Sequence, residues 1–214
     1  MLCRLLAAAA LLLPVSLAAA HDGVEHKTKE EAAAHAAATA AKAPPLPEGP
    51  ALPFPIDINA AFDLVDQTGA RRSQQDFAGR PMLIFFGYAS CEAICSVALP
   101  RMAAALDILG DKADALQPIL ITVDPVNDTP EALAEAVPKI HPRLLGLTGS
   151  EAELAEARAA FQVETEKIGD LPDGTPIYAH GSFIYLLDGS AKVLTVLPPI
   201  LSEDRIAELI LKYI

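Results

Sequence analysis

Two short runs of mostly apolar residues limit the folds that this chain can adopt. They occupy residues 82–88 and 119–123. Such a run, with no polar alternation, predicts a strand that is buried on both faces, as strands in parallel sheets are. Between the runs, residues 96–109 carry apolar side chains at helical spacing, and Gly110 marks the end of that helix. A buried strand, a helix and a second buried strand predict a right-handed crossover between parallel strands.

The alternation of strands and helices continues along the chain. Residues 128–131 and 150–153 have the sequence of helix starts, with Asp128 and Ser150 as the expected caps. Strands are also predicted at residues 62–69, as one arm of a hairpin, and at 144–147, 182–187 and 192–197, with a last helix at 202–213. An Asp-Gly turn makes the last two strands an antiparallel hairpin. We therefore expect an α/β protein of thioredoxin-like layout, with a mostly parallel central sheet, an antiparallel hairpin edge and flanking helices.

The first 53 residues are expected to lie outside that fold. Residues 1–20 combine a weakly positive start, an apolar run and small residues before Ala20, which are the features of a secretory signal. Cleavage near Ala20 predicts a periplasmic or otherwise exported protein. The alternative is an uncleaved anchor, although the apolar run is shorter than the roughly 20 residues of a membrane span. Residues 21–53, rich in Ala and then in Pro, predict a flexible tail or tether, and the folded domain is expected at residues 54–214.

The charge of the chain excludes one class of partner. There are 16 Lys and Arg against 28 Asp and Glu, which gives a net charge of −12 at pH 7. Such a chain repels phosphate backbones, so no nucleic-acid partner is expected. The excess of acidic residues fits partners that are basic, cationic or metal-bearing.

Two cysteines of the folded domain, Cys91 and Cys95, are the first candidates for chemistry. The remaining cysteine, Cys3, lies in the expected signal. A disulfide between Cys91 and Cys95 would close almost no loop, so the pair does not serve to stabilise the fold. The pair lies between a buried strand and its helix, where the helix N-terminus favours a thiolate at Cys95. The two β-carbons are expected about 5–6 Å apart, which allows the sulfurs to share one metal ion or to form a disulfide.

A metal ion held by two thiolates needs a further ligand, and His180 is the candidate. It closely precedes the predicted strand at residues 182–187. Loops at one end of neighbouring strands converge, so we expect His180 to face the cysteine loop. Structural zinc takes four protein ligands, and the sequence offers no evident fourth ligand. Two sulfurs and one imidazole therefore favour one copper ion, in either oxidation state. The other histidines, which are expected to be solvated in the tail or on the surface, are His21, His26, His35 and His141.

Four motifs follow one another along the domain. They are Phe86-Gly-Tyr-Ala-Ser-Cys-Glu-Ala-Ile-Cys95, Val123-Asp-Pro-Val-Asn-Asp-Thr-Pro130, Gly146-Leu-Thr-Gly149 and His180-Gly-Ser-Phe-Ile-Tyr-Leu-Leu-Asp188. In content, order and spacing they resemble the Sco/SenC family from about Phe54 to the C-terminus. The resemblance implies a thioredoxin fold and an exported or membrane-tethered copper chaperone that helps to assemble the dinuclear copper site of cytochrome c oxidase. By position, it implies that Cys91 and Cys95 are the family's two thiolates and His180 its histidine ligand.

The resemblance also implies a partner, which is the copper-site subunit of the oxidase or another protein that donates or receives copper. Three residues depart from the family's usual pattern. Glu92 and Ser96 stand where the family usually has Pro after each cysteine, and Ala179 stands where it has Asp before the histidine.

A metallochaperone is the favoured interpretation. A thiol–disulfide oxidoreductase stays open as the alternative, with Cys91 and Cys95 as the redox pair that keeps the thiols of a copper-receiving client reduced.

Overall fold

A mixed β-sheet with helices packed on it forms the part of the chain that the structure describes. This computed structural model describes residues 58–89, 95–172, 174 and 176–214, which belong to one unit, Gly49–Ile214. The predicted signal and tail lie outside the described residues, so this division of the chain stays a prediction. In chain order the elements are β1 (Asp63–Asp66), β2 (Arg71–Ser73), a 3-10 helix (Gln74–Phe77), β3 (Met82–Gly87), α1 (Cys95–Leu109), a 3-10 helix (Gly110–Ala115), β4 (Gln117–Thr122), α2 (Pro130–Ile140), β5 (Leu145–Thr148), α3 (Glu151–Ala160), β6 (Thr165–Asp170), β7 (Pro176–His180), β8 (Ile184–Leu187), β9 (Val193–Leu197) and α4 (Glu203–Ile210).

The main sheet has seven strands in the order β2-β1-β5-β4-β3-β8-β9. The three central strands, β5, β4 and β3, are parallel, and the outer strands pair antiparallel. The sequence predicted one arm of a hairpin at residues 62–69 and a hairpin at residues 182–197, and the two hairpins form the two edges of the sheet. Each has antiparallel strands because a short turn cannot join parallel ones. The turn between β1 and β2 contains Gly69 at a φ of 83°, a value that favours glycine.

Strand β3 lies at the centre of the hydrophobic core, as its apolar run predicts. All six of its residues are buried, and it pairs with β4 on one side and β8 on the other. The ring of Phe86 makes edge-on contacts with Phe161 and Tyr185, at centroid distances of 5.2 and 6.1 Å. Helix α1 packs against α4. The thioredoxin-like α/β arrangement predicted from the sequence is therefore confirmed, and β3 is the strand on which its core is built.

The two predicted helix starts differ in outcome. Helix α3 begins as expected, because Ser150 accepts the backbone N–H of Glu153 and the Glu153 carboxylate accepts that of Ser150. For α2 the predicted cap, Asp128, is wrong. Thr129 caps this helix by accepting the N–H of Ala132, whereas the Asp128 side chain is buried and accepts hydrogen bonds from two other elements. Two adjacent residues can both serve as caps, and tertiary contacts decided between them.

The hairpin formed by β6 and β7 was not predicted. It is a separate two-stranded sheet, and Thr165 is paired with His180 across it. None of the residues of β6 is buried, and the strand carries Glu166, Lys167 and Asp170. Strands of this kind lack the alternation of apolar and polar residues from which a strand is recognised. His180, the candidate ligand, is the last residue of β7, so this hairpin carries it.

Among the described residues, no helix combines the length and the apolar character that crossing a membrane requires.

A buried carboxylate holds the first hairpin together. Asp66 is fully buried, and it accepts hydrogen bonds from the backbone N–H and hydroxyl of Thr68, from the N–H of Ala70 and from Arg72 Nε at 2.7 Å. Burial alone would raise the pKa of Asp66, but these donors outweigh it and lower the pKa from 3.8 to about 2. The ionised form is therefore the one that stabilises the fold.

Asp66→Asn is expected to lower the free energy of unfolding by about 1–3 kcal/mol at pH 7, because Arg72 and the neutral donors of Thr68 and Ala70 lose their charged acceptor. The carboxylate of Asp66 stabilises the fold above its unfolded pKa, and this contribution is lost as the pH falls from about 4 towards 2. The difference between variant and wild type should shrink over that range. Urea unfolding at several pH values measures it. The control is Asp63→Asn, which removes an exposed partner of Arg71 and is expected to change little; an equal loss in both variants would contradict the prediction.

Candidate metal centre

The candidate site lies at the carboxyl end of strand β3. The strand ends at Gly87 and continues into Tyr88 and Ala89, two residues before Cys91. Cys91 itself lies outside the described residues. Cys95 is the first residue of α1, which confirms its predicted place at the start of that helix. The positive end of the helix dipole is located there, and it favours a thiolate over a thiol.

The ring of His180 packs against this end of β3. It meets Tyr88 edge-on at a centroid distance of 6.2 Å and Phe85 at 6.1 Å. His180 is half-buried, at the end of β7. Three residues, Gly181, Ser182 and Phe183, separate it from β8, whose first residue pairs with Phe85. The pairing of β8 with β3 therefore brings His180 beside the segment that leads to Cys91. The roles of Cys91, Cys95 and His180 as metal ligands stay predictions.

The backbone selects the tautomer of His180. Its Nδ1 lies 3.1 Å from the carbonyl oxygen of Gly181. A carbonyl oxygen only accepts hydrogen bonds, so Nδ1 carries the proton in this contact and the lone pair of the neutral ring is on Nε2. A hydrogen bond of this kind orients metal-binding histidines in general, because it fixes both the ring and the nitrogen that faces the metal.

Aromatic and acidic groups support the same end of the sheet. Tyr88 is buried and stacks edge-on against Tyr178, with ring centroids 5.6 Å apart. The hydroxyl of Tyr178 points to Asp124 Oδ1 at 3.5 Å, a long hydrogen bond. Removal of the phenol from water raises the pKa of Tyr178, and the charge of Asp124 raises it further. Tyr178 therefore stays a neutral donor beside His180.

Two buried carboxylates follow the neighbouring strand, β4. Asp124 accepts a hydrogen bond from Asn127 Nδ2 at 2.8 Å. Asp128 Oδ2 accepts the hydroxyl of Thr122 at 2.6 Å and the backbone N–H of Ala89 at 3.0 Å. Burial raises the pKa of Asp128, these two donors oppose the rise, and the charge of Asp124 adds to it. Sequence reasoning missed this part of the site, although two Asp residues within six residues of the end of a buried strand are a signal that could have indicated it.

An open groove of about 800 Å³ runs beside His180. Phe183, which is 47% exposed, lies on its wall together with Glu164, Glu166 and Tyr185. The groove therefore combines an exposed aromatic ring with two carboxylates, next to the candidate ligand.

His141, which the structure describes, lies away from this site. His141 was expected on the surface, and this is wrong. It is 8% exposed, and its Nδ1 accepts the backbone N–H of Arg143 at 3.2 Å in the turn after α2. That turn precedes β5 and lies at the opposite end of the parallel strands from Tyr88. His21, His26 and His35 fall outside the described residues. Among those residues, which leave out Cys91, no three His, Cys, Asp or Glu side chains are grouped closely enough to hold a metal ion.

The sequence profile of the SCO1/SenC family matches residues 51–214, which include the whole described region together with Cys91 and Cys95. The chain belongs to the SCO1/SenC family. A SCO2-like protein of Rickettsia conorii is 36% identical over 140 residues, which are 65% of this chain and 68% of the relative.

Solved structures agree with this assignment. ScoI of Bradyrhizobium japonicum, whose structure has copper bound, superposes with a TM-score of 0.67 at 30% identity, covering 73% of this chain and 99% of ScoI. BsSco is described as a member of the Sco family of cytochrome c oxidase assembly proteins that contains a disulfide switch. It superposes with a TM-score of 0.57 at 25% identity, covering 74% of this chain and 95% of BsSco.

Proposed function

We propose that this chain is a copper chaperone that binds one copper ion through Cys91, Cys95 and His180 and delivers it during assembly of the copper site of cytochrome c oxidase. The observation that carries the proposal is the packing of the His180 ring against Tyr88, three residues before Cys91. Copper bound to ScoI and the family's link to oxidase assembly support it.

The donor set fits copper as the cargo. Thiolates are soft ligands that select copper(I), and imidazole suits copper in general. Cys95 begins α1, where the backbone N–H groups favour the thiolate form. The contact with Gly181 leaves the lone pair of His180 on Nε2, so we assign this atom as the nitrogen ligand. Three ligands satisfy copper in either oxidation state, whereas structural zinc takes four protein ligands.

The protein's own part in delivery is to hold the donors and to admit a client. The rings of Phe85 and Tyr88 both contact His180 edge-on and restrict its orientation. The groove beside His180 gives a client access to the site, and the carboxylates of Glu164 and Glu166 favour a basic segment there. Transfer is then an exchange of ligands, in which thiolates and imidazoles of the client replace Cys91, Cys95 and His180. We assign the copper-site subunit of the oxidase as this client.

An exported location belongs to the same proposal. Residues 1–20 would direct the chain across a membrane and be cleaved near Ala20, and residues 21–53 would act as a tether or spacer. In that compartment Cys91 and Cys95 are exposed to oxidation, so a reducing partner is also required.

A second function is favoured by the position of Cys95 at a helix start and by the disulfide switch of the similar protein BsSco. In this function the two thiols of Cys91 and Cys95 reduce a disulfide of a copper-receiving client. Two electrons and two protons pass to the client, and a Cys91–Cys95 disulfide forms in exchange.

His180→Ala is expected to weaken copper(II) binding by more than about 100-fold, which is the upper end of the loss seen when only a supporting partner of a ligand is removed. Copper(I) affinity should fall by a smaller factor, because two thiolates alone can hold that ion. Competition against chelators of known affinity measures both. His141→Ala is the matched control, since it removes an imidazole at the opposite end of the sheet. Unchanged binding of both ions by His180→Ala would refute the ligand assignment.

Oxidation of the thiols is expected to abolish copper loading, because a disulfide supplies no thiolate ligand. A reductant should restore one copper ion per chain. The experiment combines mass spectrometry, which reports the disulfide as a loss of two hydrogens, with metal analysis of the same sample. Full copper occupancy in a sample whose cysteines are shown to be paired would contradict the proposed site.

A further inference from the structure

The backbone of Ala89 is anchored by a side chain from another part of the chain. The pairing of β3 with β4 ends at Gly87 and Thr122, and one more backbone bond follows, from the N–H of Val123 to Gly87. Ala89 lies beyond this ladder. Its N–H is bound by Asp128 Oδ2 at 3.0 Å, across 39 residues of sequence.

The start of helix α2 does not explain why Asp128 is buried there. Thr129 already caps the helix, so Asp128 is not needed for that purpose. The side chain is almost fully buried, and burial raises its pKa, which shows that the site disfavours the charged form. A buried carboxylate of this kind is costly, and hydrogen bonds to Thr122 and Ala89 offset the cost.

The anchored residue lies between two parts of the proposed site. Tyr88, one residue before Ala89, contacts the ring of His180. Cys91 lies two residues after it, and two residues of extended chain span at most about 7 Å. Fixing the amide of Ala89 therefore limits where Cys91 can lie relative to His180.

We propose that Asp128 is a positioning residue for copper binding, which holds the backbone of Ala89, two residues before Cys91, in place through its N–H. This inference rests on the proposed function, because it assumes that Cys91 and His180 bind the same ion. Asp128 acts through the backbone and is not itself assigned as a ligand. Ligands held in place before binding need not be ordered by the ion, so the affinity is higher.

Three variants of the full chain test the proposal through copper(I) affinity, measured by competition with a chelator, and through urea unfolding of the reduced, copper-free protein. Asp128→Ala is expected to lower the affinity by about 10- to 100-fold, as removal of an outer partner of a metal site does. Asp128→Asn should restore most of it, because the amide oxygen can accept from Ala89 and Thr122 in place of Oδ2. Thr129→Ala is the matched control. It removes the cap of α2 next to Asp128 and should lower stability while copper affinity stays within about twofold of wild type.

The outcomes separate this inference from the proposed function. A wild-type chain that binds no copper overturns the proposed function and the inference with it. A wild-type chain that binds copper, together with an unchanged affinity in Asp128→Ala, overturns only the inference. Equal losses of affinity in Asp128→Ala and Thr129→Ala also overturn it, since destabilisation alone would then explain both.

A measurement on the wild type covers the case in which Asp128→Ala does not fold. Hydrogen exchange of the Ala89 amide should be slow in the reduced wild-type chain, because Asp128 Oδ2 accepts its hydrogen bond. Fast exchange of this amide in the wild type would overturn the anchor.

Discussion

The pairing of strand β3 with β4 and β8 determines where Tyr88, Ala89 and His180 lie in the proposed copper site. β3 is buried at every residue, so it cannot shift its register without exposing apolar side chains. Tyr88 and Ala89 follow its carboxyl end. Asp124 and Asp128 follow the same end of the parallel neighbour, β4. The antiparallel neighbour, β8, begins at this end of the sheet, shortly after His180.

Aromatic contacts and the buried carboxylate act on different parts of the proposed site. Aromatic rings orient His180, and hydrogen bonds to a buried carboxylate hold the backbone that leads to Cys91. Buried carboxylates are rarely kept without a compensating role, because desolvation disfavours their charge. The two cysteines and the oriented imidazole of the proposed site would supply donors that fit copper.

Much of the fold could be predicted from the sequence because its central strands carry runs of mostly apolar residues. The runs at residues 82–88 and 119–123 became β3 and β4, and the capping pair of Ser150 and Glu153 began α3 as predicted. The β6–β7 hairpin escaped prediction because its exposed, charged residues show no apolar periodicity. The cap of α2 was misassigned because two adjacent residues, Asp128 and Thr129, both fit the local pattern. The long-range hydrogen bond of Asp128 decided between them, and local sequence carries no information on it.

The candidate ligands could be selected from residue types and spacing, whereas the residues that contact and position them could not. Cys95 was placed at a helix start and His180 near the same strand end by the order of the elements alone. The contacts that orient His180, and the carboxylate that binds Ala89, depend on residues distant in sequence. The burial of His141 was missed for a related reason, since a single turn after α2 places its ring against the backbone of Arg143.

X-ray absorption spectroscopy of the reduced chain, loaded with one equivalent of copper(I), tests the central claim most directly. The account predicts two sulfur neighbours and one nitrogen neighbour around the ion, and loss of both sulfurs when Cys91 and Cys95 are replaced by Ser. A copper ion without sulfur neighbours, or a spectrum that this double substitution leaves unchanged, would contradict it.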